Sequence, residues 1–67
     1  MTAQTVLVLD SDVLVRMPIS QFLRDCGYRV LEAASTDEAA LILEDTDVHL
    51  DVVLADLEMP GLARGAQ

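Results

Sequence analysis

Two short runs of successive apolar residues, Val6-Leu7-Val8-Leu9 and Val52-Val53-Leu54-Ala55, stand out in a chain that otherwise mixes apolar and polar positions. Successive rather than alternating apolar residues mark a parallel strand covered on both faces, so residues 5–10 and 52–55 are expected as buried strands. Each run ends on a carboxylate: Asp10-Ser11-Asp12 follows the first, and Asp56 follows the second just ahead of a Pro60-Gly61 turn signal.

Between these runs, Val15, Ile19, Phe22 and Cys26, with Leu23 alongside, recur at spacings of three and four. Arg16, Ser20, Gln21, Arg24 and Asp25 fill the other positions, which predicts an amphipathic helix over 13–26 with the apolar stripe inward. Pro18 lacks the N–H that a helix interior needs, so the regular helix is expected to begin near Arg16 or Met17, or to have a kinked start. Gly27 suits a left-handed terminator. Residues 28–33 form a strand of mixed character, with Tyr28, Val30 and Glu32 on one side and Arg29, Leu31 and Ala33 on the other, as an edge position allows. Ser35-Thr36-Asp37-Glu38 is a capping-box pattern opening a second helix to about residue 45. The order is β-α-β-α-β, an α/β class with right-handed crossovers and a parallel sheet in the order 2-1-3.

Sixty-seven residues allow one small domain, and a chain of this size buries only about 60% of its unfolded surface. At 52% hydrophobic it is more apolar than so small a core needs, which calls for further cover. Twelve acids against four arginines, with no lysine, give a net charge of −8. That balance repels phosphate backbones and anionic membrane surfaces, so no nucleic-acid or membrane partner is expected. A lone cysteine, Cys26, excludes an internal disulfide and fits a reducing compartment. It reads as a buried thiol at the helix end. No apolar run approaches about 18 residues and no basic segment precedes one, so a cytoplasmic location is expected.

If the two apolar strands lie parallel and adjacent, Asp10, Asp12 and Asp56 converge at the carboxyl edge of the sheet, where open α/β sheets place ligands. Crowded carboxylates repel unless protons or a cation intervene, and a hard divalent cation such as Mg²⁺ suits their oxygen atoms. A structural acidic cluster is the alternative, and Asp12 serves equally as a helix N-cap. His49 has no second histidine or cysteine partner and reads as a solvated loop residue.

The stretches 6–12, 22–30 and 33–39, with 51–61, resemble the receiver domain of two-component response regulators, without a large gap from about Thr5 to Gly61. The resemblance implies a truncated, flavodoxin-like receiver half: a single domain over 1–67, with its core at about 5–61 and a tail at 62–67. It implies that Asp56 accepts a phosphoryl group from a histidine kinase or phosphotransfer protein. It implies Asp10 as a metal ligand and Glu58 as the residue whose backbone carbonyl also ligates the metal, with Asp12 a further candidate. Ser11 stands where the family usually has a second acidic residue, and a hydroxyl is a weaker Mg²⁺ ligand than a carboxylate. Family members continue through two more strands and three more helices, which carry a phosphoryl-sensing hydroxyl and a lysine; neither has a counterpart here.

The resemblance implies a phosphoacceptor or an interaction module rather than a turnover enzyme. A half receiver with an exposed sheet edge and faces is expected to form a homodimer, and could act as a non-phosphorylated interaction module. Residues 6–15 also resemble the opening motif of haloacid-dehalogenase-type phosphatases, with Asp10 as nucleophile and Asp12 as acid/base. Val13-Leu14 replaces the usual Gly-Thr of that motif.

Overall fold

A computed structural model describes residues 3–56, and Leu57 to Gln67, Glu58 among them, lie outside the described residues. The elements run β1 (Thr5–Leu9), α1 (Val13–Asp25), β2 (Arg29–Ala33), α2 (Thr36–Glu44) and β3 (Val52–Ala55). The sheet is parallel in the order β2-β1-β3, as the apolar pattern predicts, with β1 between its two neighbours. Leu7 lies opposite Leu31 on one side and Val53 on the other; Leu9 lies opposite Ala33 and Ala55.

Val6, Leu7, Val8 and Leu9 are all buried, Leu7 completely. Parallel neighbours share a face, so Leu7 and Leu9 with Leu31 and Ala33 point toward α2, where Ala39, Ile42 and Leu50 complete the core. Ser35 Oγ accepts the Glu38 N–H at 3.1 Å, which caps α2 where the sequence signals it. His49 is exposed, as expected.

β3 is paired as predicted but is not buried. Val52, Val53 and Leu54 keep 43, 45 and 43% of their surface exposed, because both helices pack over β1 and β2.

Helix α1 departs from the sequence pattern in three ways. It begins at Val13 rather than near Arg16, because Asp12 starts it. The Asp12 side chain accepts the Leu14 N–H at 2.9 Å, and its carbonyl accepts those of Val15 and Arg16 at 3.1 and 2.9 Å. The first turn is therefore anchored before Pro18, which lies inside the helix and has no N–H to offer the Leu14 carbonyl. Both residues are exposed, so water can reach that carbonyl.

Secondly, the inward face is not the apolar stripe. Ser20 is fully buried and Arg16 and Leu23 are half-buried, whereas Val15, Ile19 and Phe22 are 44, 38 and 66% exposed. The helix is turned toward Glu32 on β2. Arg16 Nε donates to Glu32 Oε1 at 2.9 Å and Arg24 Nη2 to Glu32 Oε2 at 3.2 Å. Ser20, between the two arginines, is small enough to let the helix approach the sheet.

Thirdly, Cys26 is exposed rather than buried, because it occupies the C-cap. Gly27 follows at φ +97°, where a side chain would be strained. Its N–H donates to the Arg24 carbonyl and that of Tyr28 to the Leu23 carbonyl, at 3.0 and 3.1 Å, the Schellman arrangement that ends a helix.

The Ser20 hydroxyl is buried without a hydrogen-bond partner among the described residues. Replacing Ser20 by Ala removes that desolvated group and improves helix propensity, so S20A should raise stability by about 1 kcal/mol in urea unfolding. A loss of stability would show that the hydroxyl is satisfied in solution.

The Arg16 hydrogen bond, with that of Arg24, holds the Glu32 carboxyl below its ordinary value of 4.5, and only partial burial opposes them. A lowered carboxylate pKa contributes stability above the unfolded value and loses it as pH falls through the folded one. Glu32→Gln should therefore be less stable than wild type at pH 7, with the gap closing below about pH 4.5. Unfolding curves across that range check this.

Candidate functional site at the carboxyl edge of the sheet

The carboxyl ends of β1 and β3 carry Asp10 and Asp56, and the pairing of the strands places them side by side. The Leu9 carbonyl accepts the Asp56 N–H at 3.1 Å, and the next residue, Asp10, donates its own N–H to the Ala33 carbonyl on β2 at 3.1 Å. One backbone step on β1 thus sets both acidic positions. Asp10 and Asp56 line the same cleft, of about 340 Å³, with Val8, Leu9, Ile19, Leu54 and Ala55 forming its apolar walls. Ile19, from the outward stripe of α1, and Leu54, from β3, face this space.

Asp12 stands next to the pair but is committed differently. Its N–H donates to Asp10 Oδ1 at 2.9 Å, and its own Oδ1 caps α1. The loop Asp10-Ser11-Asp12 therefore folds back on itself, restraining the Asp10 side chain while it starts the helix. Of the positions singled out in the sequence, Asp10 and Asp56 share one cleft, and Asp12 is the N-cap behind it. Glu58 lies outside the described residues.

Among the described residues, no group of three His, Cys, Asp or Glu side chains is placed to hold a metal ion. The two carboxylates in the cleft are nonetheless a donor set of the right kind for Mg²⁺. That ion keeps several waters and is commonly bound through one or two carboxylates plus phosphate oxygens, rather than by an all-protein cage.

Sequence reasoning placed Arg16 on the outer face, yet it lies beside the site. Its Nη1 donates to the Asp10 carbonyl at 2.9 Å while its Nε holds Glu32. The available signal was an acid, Glu32, between Leu31 and Ala33 in a half-apolar strand, with two arginines eight residues apart on the preceding helix.

A larger hollow of about 640 Å³ opens at the opposite, amino end of the strands, lined by residues that include Arg29, His49 and Asp51. There Asp51 Oδ2 accepts the Thr5 N–H at 2.7 Å and Oδ1 lies 3.4 Å from His49 Nε2. Size does not make it the better site, because the strand ends that carry Asp10 and Asp56 are at the other edge. No helix among the described residues is long and apolar enough to cross a membrane.

Comparison with known proteins agrees with this geometry. The family model described as response regulator receiver domain matches residues 6–67. The two-component response regulator-like APRR7 of Arabidopsis thaliana is 38% identical over 58 residues, covering 87% of this chain and 8% of that protein. PRR37 of Oryza sativa subsp. indica, also a two-component response regulator-like protein, is 40% identical with the same coverage. The sensor kinase CckA of Brucella abortus is 41% identical over 56 residues, 84% of this chain and 6% of that protein. The chain thus spans less than a tenth of the length of these relatives, and no solved structure matches it. A three-stranded parallel sheet in the order 2-1-3, with aspartates at the carboxyl ends of its first and third strands, and a family match over nearly the whole sequence lead to one conclusion: the chain belongs to the response regulator receiver domain family.

Proposed function

We propose that this chain is a phosphoacceptor module of two-component signalling in which Asp56 takes a phosphoryl group from a histidine kinase or phosphotransfer protein. Receiver domains are in general signalling modules rather than turnover enzymes. The observation that carries the reading is the placement of Asp56 beside Asp10 in one cleft at the carboxyl edge of the sheet.

An Asp56 carboxylate oxygen attacks the donor phosphorus in line with the bond that leaves. The new P–O bond forms as the P–N bond breaks, and the donor ring, already protonated on its other nitrogen, takes the electron pair and leaves as neutral imidazole. Asp10 and Asp56 would hold Mg²⁺, with Asp12 and the Glu58 backbone carbonyl as further candidate ligands, and the ion would offset the charge on the phosphoryl oxygens. Ser11 contributes no second carboxylate at this point, so cation affinity is modest. A charge of −8 and the absence of lysine fit a protein partner better than a nucleic acid, and a cytoplasmic setting goes with a kinase donor.

The exposed apolar area of β3 supports a second reading, a homodimer formed through that strand and the adjoining faces. Sedimentation velocity at micromolar concentration tests it: a dimer that dissociates when Val53→Asp is introduced supports self-association, and a monodisperse wild-type monomer contradicts it.

Intact mass after incubation with Mg²⁺ and acetyl phosphate tests the acceptor reading. The expected result is a metal-dependent gain of one phosphoryl group in wild type that is absent in Asp56→Asn. No gain in a folded sample would leave the interaction reading alone.

A further inference from the structure

Arg16 makes two directed contacts from one guanidinium. Nη1 donates to the Asp10 carbonyl and Nε to Glu32 Oε1, each at 2.9 Å, and the side chain is only 15% exposed. The other Glu32 oxygen accepts from Arg24 Nη2 at 3.2 Å, and that nitrogen also lies 3.4 Å from the Val30 carbonyl. Glu32 is thus gripped from both sides and fixes the orientation of Arg16. Asp10 in turn is held at three atoms: its N–H by the Ala33 carbonyl, its carbonyl by Arg16, and its Oδ1 by the Asp12 N–H.

We infer that Arg16 is a positioning residue for the acidic edge: through the Asp10 carbonyl it sets the Asp10 carboxylate beside Asp56, and Glu32 holds the guanidinium to that task. Its cation arm rests on the acceptor reading above; its structural arm does not.

Charge alone makes the opposite prediction. Arg16 and Arg24 against Glu32 leave one net positive charge near the carboxylates, and such a charge opposes a divalent cation. Deleting it would tighten cation binding if charge were the whole effect, whereas losing the set position of Asp10 weakens binding. Residues that orient ligands in this indirect way typically change metal affinity by about 10- to 100-fold.

The test uses the full chain as wild type, Arg16→Gln, Arg16→Lys and Glu32→Gln. Mn²⁺ affinity is read by electron paramagnetic resonance and amide hydrogen exchange by NMR. Arg16→Gln should bind Mn²⁺ about tenfold more weakly. Arg16→Lys should lose nearly as much, because an ammonium keeps the charge but not the planar two-point fork. Glu32→Gln should show a smaller loss in the same direction.

Without metal, the Asp12 amide should exchange faster in Arg16→Gln while Leu7, at the centre of the sheet, keeps its protection. If Arg16→Gln also loses protection at Leu7, Glu32→Gln, which retains an acceptor oxygen, decides by the same readings. An unchanged Asp12 amide, or Mn²⁺ binding as tight as wild type in Arg16→Gln, overturns the inference. If wild type binds no Mn²⁺ while the Asp12 amide still responds, the acceptor reading fails and the positioning role stands.

Discussion

The hydrogen bonding of β1 at Leu9 and Asp10 is the constraint on which the rest of this small fold depends. A central strand must satisfy its backbone groups on both sides, and at its carboxyl end it does so with one bond to β3 and one to β2. The first ties the Asp56 backbone to Leu9, and the second ties Asp10 to Ala33. Two carboxylates that would separate in a flexible chain are thereby held at one edge, facing one cleft. The fully buried Leu7 and its neighbours supply the apolar burial that keeps β1 in place against this crowding of charge.

Local chemistry at that edge adds to the backbone constraint. Asp12 starts α1 and bonds back to Asp10, so the loop that carries the acids is also the start of the helix. Arg16, one turn further on, bonds to the Asp10 carbonyl and reaches across to Glu32. Half-buried ion pairs of this kind contribute little net stability unless their remaining hydrogen-bonding capacity is met. Here that capacity is met, since Glu32 is held by two arginines and one of them also bonds the Asp10 main chain, so the network stabilises the fold as well as fixing its geometry. Its cost is visible in α1, which turns Ser20 inward and leaves Val15, Ile19 and Phe22 exposed.

Much of this was legible in the sequence. The strands and their order follow from successive apolar runs and short connections, and the α2 cap from Ser35 with Glu38. The convergence of Asp10 with Asp56 follows from where those runs end. The inward face of α1 was not legible, because an apolar stripe at helical spacing normally marks the core. What overrode it is a pairing across sixteen residues, from Arg16 to Glu32, that no local period encodes. Pro18 argues for a start of α1 near Arg16, but the Asp12 cap, itself legible in the sequence, sets the start at Val13. The apolar run of β3 reads as a buried strand, but its exposure agrees with the half receiver's expected open edge and uncovered faces. The apolar stripe points to a buried Cys26, whereas its position at the C-cap decides its exposure.

The central claim, that the carboxyl edge between β1 and β3 is where this chain binds a divalent cation for phosphoryl chemistry, is tested most directly by Mn²⁺-induced broadening of backbone amide resonances. Substoichiometric Mn²⁺ should broaden Asp10, Ser11, Asp12 and Asp56 first and leave Arg29, His49 and Asp51, at the far end of the strands, sharp. Broadening centred on that opposite end, or spread evenly over the acidic surface, would contradict the account.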